Sequence, residues 1–230
     1  MLGAWPRFAA HQWLLSRDDG LYASSYAPCQ VRYRLAGAAV RLNVESDYPA
    51  QGNVRITVSL DQSAAFPMHL RIPSWAVGAT AAIAGEIIPA QAGTILTVNR
   101  EWADGDVLLL TLPMAAEREV CYHQAVCVKR GALVFAYAPA CETLADENGA
   151  CALKARAGFG MALKENAEIE TIVCDGGVTL RTKGIAQKGW GMRGESCEQP
   201  PIAAEAGDEI DVALVPYAKA QIRLAVLPVV

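Results

Sequence analysis

Between Asn53 and Leu60 every second residue is apolar: Val54, Ile56, Val58 and Leu60 alternate with Asn53, Arg55, Thr57 and Ser59. A period of two places the four apolar side chains on one face of an extended strand and the polar ones on the other. Arg41 to Ser46 alternates in the same way, and Met68 to Ile72 does so until Pro73 stops it. Thr94–Val98 and Val107–Leu112 flank the turn residues Ala103 to Asp106, and DYPAQGN (47–53) supplies Asp, Pro and Gly for a hairpin. Strands about 8–15 residues apart with turn residues between them predict an antiparallel sandwich.

The first residues follow another period. Leu2, Trp5, Ala9 and Trp13 fall on one helical face, and Pro6 fits a first turn, so a short helix is expected over 4–16. After Asp18-Asp19-Gly20 the period becomes two. A second region begins near Val126, where Ala132–Ala136 is a wholly apolar strand suited to the centre of a sheet. Residues 140–168 are poorly patterned, and Gly184–Ala206 reads as a long loop. Ile210–Leu214 and Gln221–Val226 are strands. The expected fold is mainly β: two antiparallel β-sandwich lobes with a short N-terminal helix. The helix takes residues 1–20. The first lobe takes 21–125, its sheet completed by 208–230, and the second is inserted at 126–207.

Of the 230 residues, 53% are hydrophobic and 19% charged, the composition of a packed chain. The formal net charge is −4, with no basic stripe, which argues against nucleic acid as a partner. No segment approaches the roughly 18 apolar residues that span a bilayer, and residues 1–19 lack the apolar run of a signal peptide. The seven cysteines include no CxxC pair, which fits reduced thiols in a cytoplasmic protein better than a disulfide framework or a zinc site.

Six phrases are similar, in order and spacing, to one family: GLYASSYAPC (20–29), VESDYPAQGNVRITV (44–58), LRIPSWA (70–76), VNREWADGDVLLLTLPM (98–114), VKRGALVFAY (128–137) and LVPYAKAQIRLAV (214–226). Together they resemble the C-terminal β region of the bacterial family 127 glycoside hydrolases, which include β-L-arabinofuranosidases. The resemblance implies a separate (α/α)6 barrel that carries a cysteine nucleophile, a glutamate acid/base and zinc. None of the cysteines here occupies the matching position, so no catalytic residue, metal ligand or cofactor is assigned to this chain. The barrel is the implied partner, and a homodimer through the N-terminal helix is expected to cover Trp5, Phe8, Trp13 and Leu14. Where relatives read Val-Asn-Gly after LRIPSWA, this chain has Ile83-Ala84-Gly85.

Three sets of residues invite a sharper reading. Glu119, Cys121, His123 and Cys127 could form a thiolate nucleophile or begin a metal site. With Cys121 and His123 side by side on a strand and no further group in place, packing is the better account. The carboxylate pairs Glu45/Asp47 and Asp104/Asp106 suggest glycoside cleavage, but they lie where turns need Asx hydrogen bonds. Trp75 and Trp102 read as core plugs. Trp190, between Gly189 and Gly191, is the one tryptophan whose flanks suggest an exposed sugar contact. The leading expectation is a non-catalytic accessory region. An independent carbohydrate-binding module and a self-contained enzyme using Cys121 and His123 are the alternatives.

Overall fold

The computed structural model describes residues 4–145, 151–155, 159–174, 177–187, 190–193, 196–202 and 207–230. It divides into two compact units, Met1–Met114 and Ala115–Val230.

The first unit opens with helix α1 (Ala4–Ala10), followed by β1 (Trp13–Leu15), β2 (Leu21–Ala23), β3 (Cys29–Leu35), β4 (Ala38–Ser46) and β5 (Asn53–Leu60). Then come β6 (Ala64–Arg71), β7 (Thr80–Ile83), β8 (Glu86–Pro89), β9 (Ile95–Trp102) and β10 (Val107–Thr111). They form a four-stranded sheet, β1-β2-β6-β9, and a six-stranded sheet, β3-β4-β5-β10-β7-β8. Leu21, Met68 and Val98 share one row across the first sheet. They belong to one buried cluster with Val40, Ile56 and Leu108 of the second. Burying each such side chain stabilises the fold by about 1.5–3 kcal/mol. Trp102 is fully buried, and its indole N–H donates to the Phe66 carbonyl at 2.9 Å, so its polar atom is satisfied.

The expected helix is cut short. Residues 13–15 pair antiparallel with β2, and Trp13 is buried in the sandwich core. The spacing that suggested a helix fits a strand equally well over so few residues; pairing with β2 decides it. Gln12 fixes the junction, its side-chain oxygen accepting from Ala27 N and its carbonyl from Ser24 N. The helical face expected from Leu2, Trp5, Ala9 and Trp13 therefore does not extend to Trp13, while Phe8 and Leu14 stay exposed.

The second unit contains β11 (Ala116–Val120), β12 (Val126–Arg130), β13 (Leu133–Tyr137), β14 (Cys141–Ala145), β15 (Cys151–Ala155) and β16 (Met161–Leu163). It continues with β17 (Glu170–Cys174), β18 (Gly177–Ala186), β19 (Met192–Arg193), β20 (Ser196–Cys197) and β21 (Glu209–Pro216). A seven-stranded antiparallel sheet runs β11-β12-β13-β21-β18-β16, with β17 also on β18. Two corrections follow. The closing strand β21 lies between β13 and β18 of the second unit and does not complete the first. Apolar β13 needs a neighbour on each side, and β21 provides one. The boundary also falls at 114/115 and not 125/126, because β11 forms a ladder with β12. The region expected to be a loop from Gly184 begins inside β18 and includes the β19–β20 pair; residues 203–206 lie outside the described ones.

Beyond β21 the chain ties distant strands together. Leu227 exchanges two backbone hydrogen bonds with Val126 of β12, at 2.8 and 2.9 Å. Leu163 of β16 donates to Pro228 O and accepts from Val230 N. One short segment thus joins β12 and β16, strands near opposite ends of the sheet order. Leu227 is fully buried. Replacing it with Ala should cost the second unit about 2–5 kcal/mol, measurable by denaturant unfolding.

The β7–β8 turn keeps a left-handed pair without asparagine, with Ala84 at φ 49° and Gly85 at φ 85°. Alanine is strained there, while Asn-Gly suits a turn with both residues at positive φ. Ala84→Asn should stabilise the first unit by about 0.5–1 kcal/mol, seen as a rise in melting temperature.

Candidate functional site

The most organised polar cluster among the described residues sits on the outer face of the four-stranded sheet. Met68, Leu70 and Val98 point into the core, so His69 and Thr97, which alternate with them, face outward. They are directly opposed across β6 and β9, and Tyr22 of β2 adjoins His69. Asp18, in the β1–β2 turn, brings both carboxylate oxygens to 3.1 Å from His69 Nε2. His69 Nδ1 lies 2.9 Å from the Thr97 hydroxyl oxygen. In the tautomer with its hydrogen on Nε2, the ring donates to Asp18 and its Nδ1 accepts from the Thr97 hydroxyl. Ser16 donates to Asp18 at 2.5 Å and its oxygen accepts from Gly20 N.

Hydroxyl, imidazole and carboxylate in this order are the parts of a nucleophilic triad. Here, however, the hydroxyl is on an exposed strand position of a flat face, and the carboxylate is more than half exposed. The arrangement pins the β1–β2 turn to the sheet. The Ser16 hydroxyl foremost, and His69 next, hold the Asp18 carboxyl below its usual range.

A second feature is aromatic. Tyr48 stacks on Trp75 with ring centres 6.5 Å apart, and Tyr26 meets Tyr48 edge-on at 6.3 Å. Tyr26 is buried and donates to Arg71 O at 2.8 Å, and burial pushes its phenol far above the usual range. Tyr48 and Trp75 are only half-buried, so Trp75 is less of a core plug than its sequence flanks suggest.

The residues singled out from sequence fare differently. Trp190 is 5% exposed, packed edge-on against Phe159, and its indole donates to Glu198 O at 3.1 Å. It is a loop anchor; a buried indole offers no face for a sugar to stack on. Cys121 and His123 do not share a strand face. Cys121 precedes the 3-10 turn Tyr122–Gln124, within which His123 has φ 56°. His123 Nδ1 is 3.2 Å from Pro200 O and its ring stacks on Tyr122, while the Cys121 thiol faces Glu119 O at 3.5 Å. Glu119 pairs with Lys129. Burial foremost raises the Cys127 thiol, the opposite of what a thiolate nucleophile needs. Among the described residues no three His, Cys, Asp or Glu side chains gather to hold a metal ion.

The carboxylate pairs are spent on turns and an ion pair. Asp104 accepts from Leu60 N at 2.9 Å, Asp106 from Ala103 N at 3.0 Å, and Glu45 lies 3.9 Å from Arg55. In the second unit an open cleft of about 1140 Å³ is lined by Glu168, Glu170, Arg181 and Lys183 among others. Its lysines are neutralised within the wall, Lys164 by Glu209 at 2.6 Å and Lys183 by Asp211 at 2.7 Å.

Residues 20–114 match the family described as the β-L-arabinofuranosidase GH127 middle domain. This part of the chain, less than half of it, is thus similar in sequence to a GH127 middle domain. Solved structures extend the likeness of fold to nearly the whole chain. A GH127 β-L-arabinofuranosidase from Geobacillus stearothermophilus T6 is 23% identical with a TM-score of 0.68 over 96% of this chain. A protein titled glycoside hydrolase is 24% identical, TM-score 0.69, over 95%. A GH127 β-arabinofuranosidase is 17% identical, TM-score 0.73, over 98%. The chain spans only 35–37% of the length of these three. A search of curated proteins finds no match. The Asp18–His69–Thr97 array lies at the edge of the matched region, since Asp18 precedes the matched residues and His69 and Thr97 lie within them.

Because the Asp18 carboxyl is depressed in the fold, its contribution is present above the ordinary carboxylate range and lost as pH falls through its folded value. Asp18→Asn should therefore lower the melting temperature near neutral pH, and the difference should vanish in strong acid. A thermal melt series from pH 7 to pH 2 on both proteins checks this.

Proposed function

We propose that the chain is the non-catalytic accessory β region of a glycoside hydrolase acting on arabinose-containing, plant-type glycans. It braces a separate helical catalytic barrel, its partner, in the cytoplasm. The match of residues 20–114 to the GH127 middle domain carries this reading. The likeness of fold over 95–98% of this chain to parts of solved glycoside hydrolases supports the assignment to that class of protein. The histidines support it as well: His69 is engaged on both ring nitrogens, and His123 Nδ1 is held by a carbonyl. Nucleophile, acid/base and zinc then belong to the barrel.

Incubating the purified chain with an aryl β-L-arabinofuranoside should give no turnover above the buffer rate, and elemental analysis should find no stoichiometric zinc. Turnover that disappears in Cys121→Ala, or about one zinc per chain, would overturn the reading.

One observation favours an independent sugar-binding role: the half-buried Tyr48–Trp75 stack, since sugar rings pack on accessible aromatic faces. Titration calorimetry with neutral arabino-oligosaccharides decides between the two. A pure brace gives no heat, whereas binding that is lost in Trp75→Ala would make the chain a binding module.

A further inference from the structure

The outer face of the six-stranded sheet carries an arrangement that folding alone does not favour. Arg32 of β3 stands directly opposite Arg41 of β4, and Ser59 of β5 continues the same row. Arg34 lies two residues along β3 on the same face, and all three arginines are exposed. Like charges directly opposed on neighbouring strands repel. Among the described residues none of the three forms an ion pair. Arg32 reaches only Gln30 Oε1 at 3.4 Å, and Arg34 only the Gly37 carbonyl at 3.3 Å. The adjacent carboxylate, Asp61, accepts from Ala39 N at 2.8 Å. Arg55, on the same face, differs in having Glu45 beside it. A shallow depression of about 290 Å³ lies over Arg32, Arg41, Ser59 and Asp61.

We propose that Arg32, Arg34 and Arg41 form a binding strip for an acidic glycan, a sugar chain bearing carboxylates. Opposed Cβ atoms are about 4.5–5.5 Å apart, and positions two apart on a strand about 6.8 Å. Each guanidinium presents a planar fork that accepts a carboxylate in two-point fashion. An open sheet face with cations repeating at such intervals suits an extended chain with regularly spaced charges. Gln30, Asn43 and Ser59 supply neutral hydrogen-bonding groups for hydroxyls beside it. The chain's net charge is −4, so the attraction is local to this strip. The choice of a glycan over another polyanion rests on the reading under Proposed function, whereas the anion site itself does not.

Titration calorimetry of the whole chain with an oligogalacturonate at low salt tests the proposal, with a neutral arabino-oligosaccharide and an oligoglutamate of equal charge as controls. The uronate should bind, weakening as salt rises. Arg32→Ser with Arg41→Ser should weaken it about tenfold or more, Arg41→Lys less, and Arg55→Ser little. The double variant should melt no lower than the parent, because it removes a repulsion, so lost binding is not lost folding. Absent uronate binding, or binding that survives the double substitution, overturns the proposal. Equal binding of oligoglutamate overturns the glycan and makes the partner an acidic protein. Turnover of an arabinofuranoside by the chain would sink the accessory reading and leave this strip standing.

Discussion

The inward row of the first unit governs where everything else points. Leu21, Met68 and Val98 must stay between the sheets, in one buried cluster with Val40, Ile56 and Leu108. Side chains alternate along a strand, so a slip of one residue would turn this whole set to water. The parity that keeps Met68 in sends His69 out, and the parity that keeps Val40 and Leu42 in sends Arg41 out. The outer faces inherit their chemistry from that constraint.

The two outer faces of the first unit then carry opposite electrostatic designs. On the four-stranded sheet the Asp18 carboxylate has Ser16 and His69 as partners, and His69 also meets Thr97, all within 3.1 Å. On the six-stranded sheet Arg32 and Arg41 oppose each other without an ion pair. The second unit resembles the first case, with Lys164 after β16, Lys183 of β18 and Glu209 and Asp211 of β21 neutralising one another. Exposed pairs of this kind add little stability, but they leave little net charge for a ligand. Repulsion left in place is the rarer pattern, and a partner could relieve it.

Alternation made most strands of the first unit legible, because period two reports which residues are buried without any knowledge of the partner strand. The same property explains the errors. Alternation gives a face and not a neighbour, so β21 was expected to complete the first unit, whereas it pairs with β13 and β18 of the second. Trp13 satisfied helical and extended spacing alike, and only pairing with β2 resolved it. Asp18 and His69 are 51 residues apart, so nothing local announced their contact. Trp190 misled through its glycines, which signal backbone freedom and say nothing about burial. Trp75 erred the other way: its neighbours Ile72 and Ala76 are buried, while it remains half-open beside Tyr48.

The two units differ in how far along the chain their ladders reach. Every strand of the first finds its partners within Met1–Met114, and the β4–β5 hairpin needs only its own turn. In the second, Phe135 of β13 waits for Pro216, and Val126 for Leu227. As the chain emerges from a ribosome, the first unit can reach its native pairing while the second still lacks a central strand. The apolar edge of β13 then stays open until β21 arrives, and an unpaired apolar edge invites association with other chains. Vectorial synthesis thus gives the second unit the longer interval of aggregation hazard, with an already folded sandwich as its neighbour.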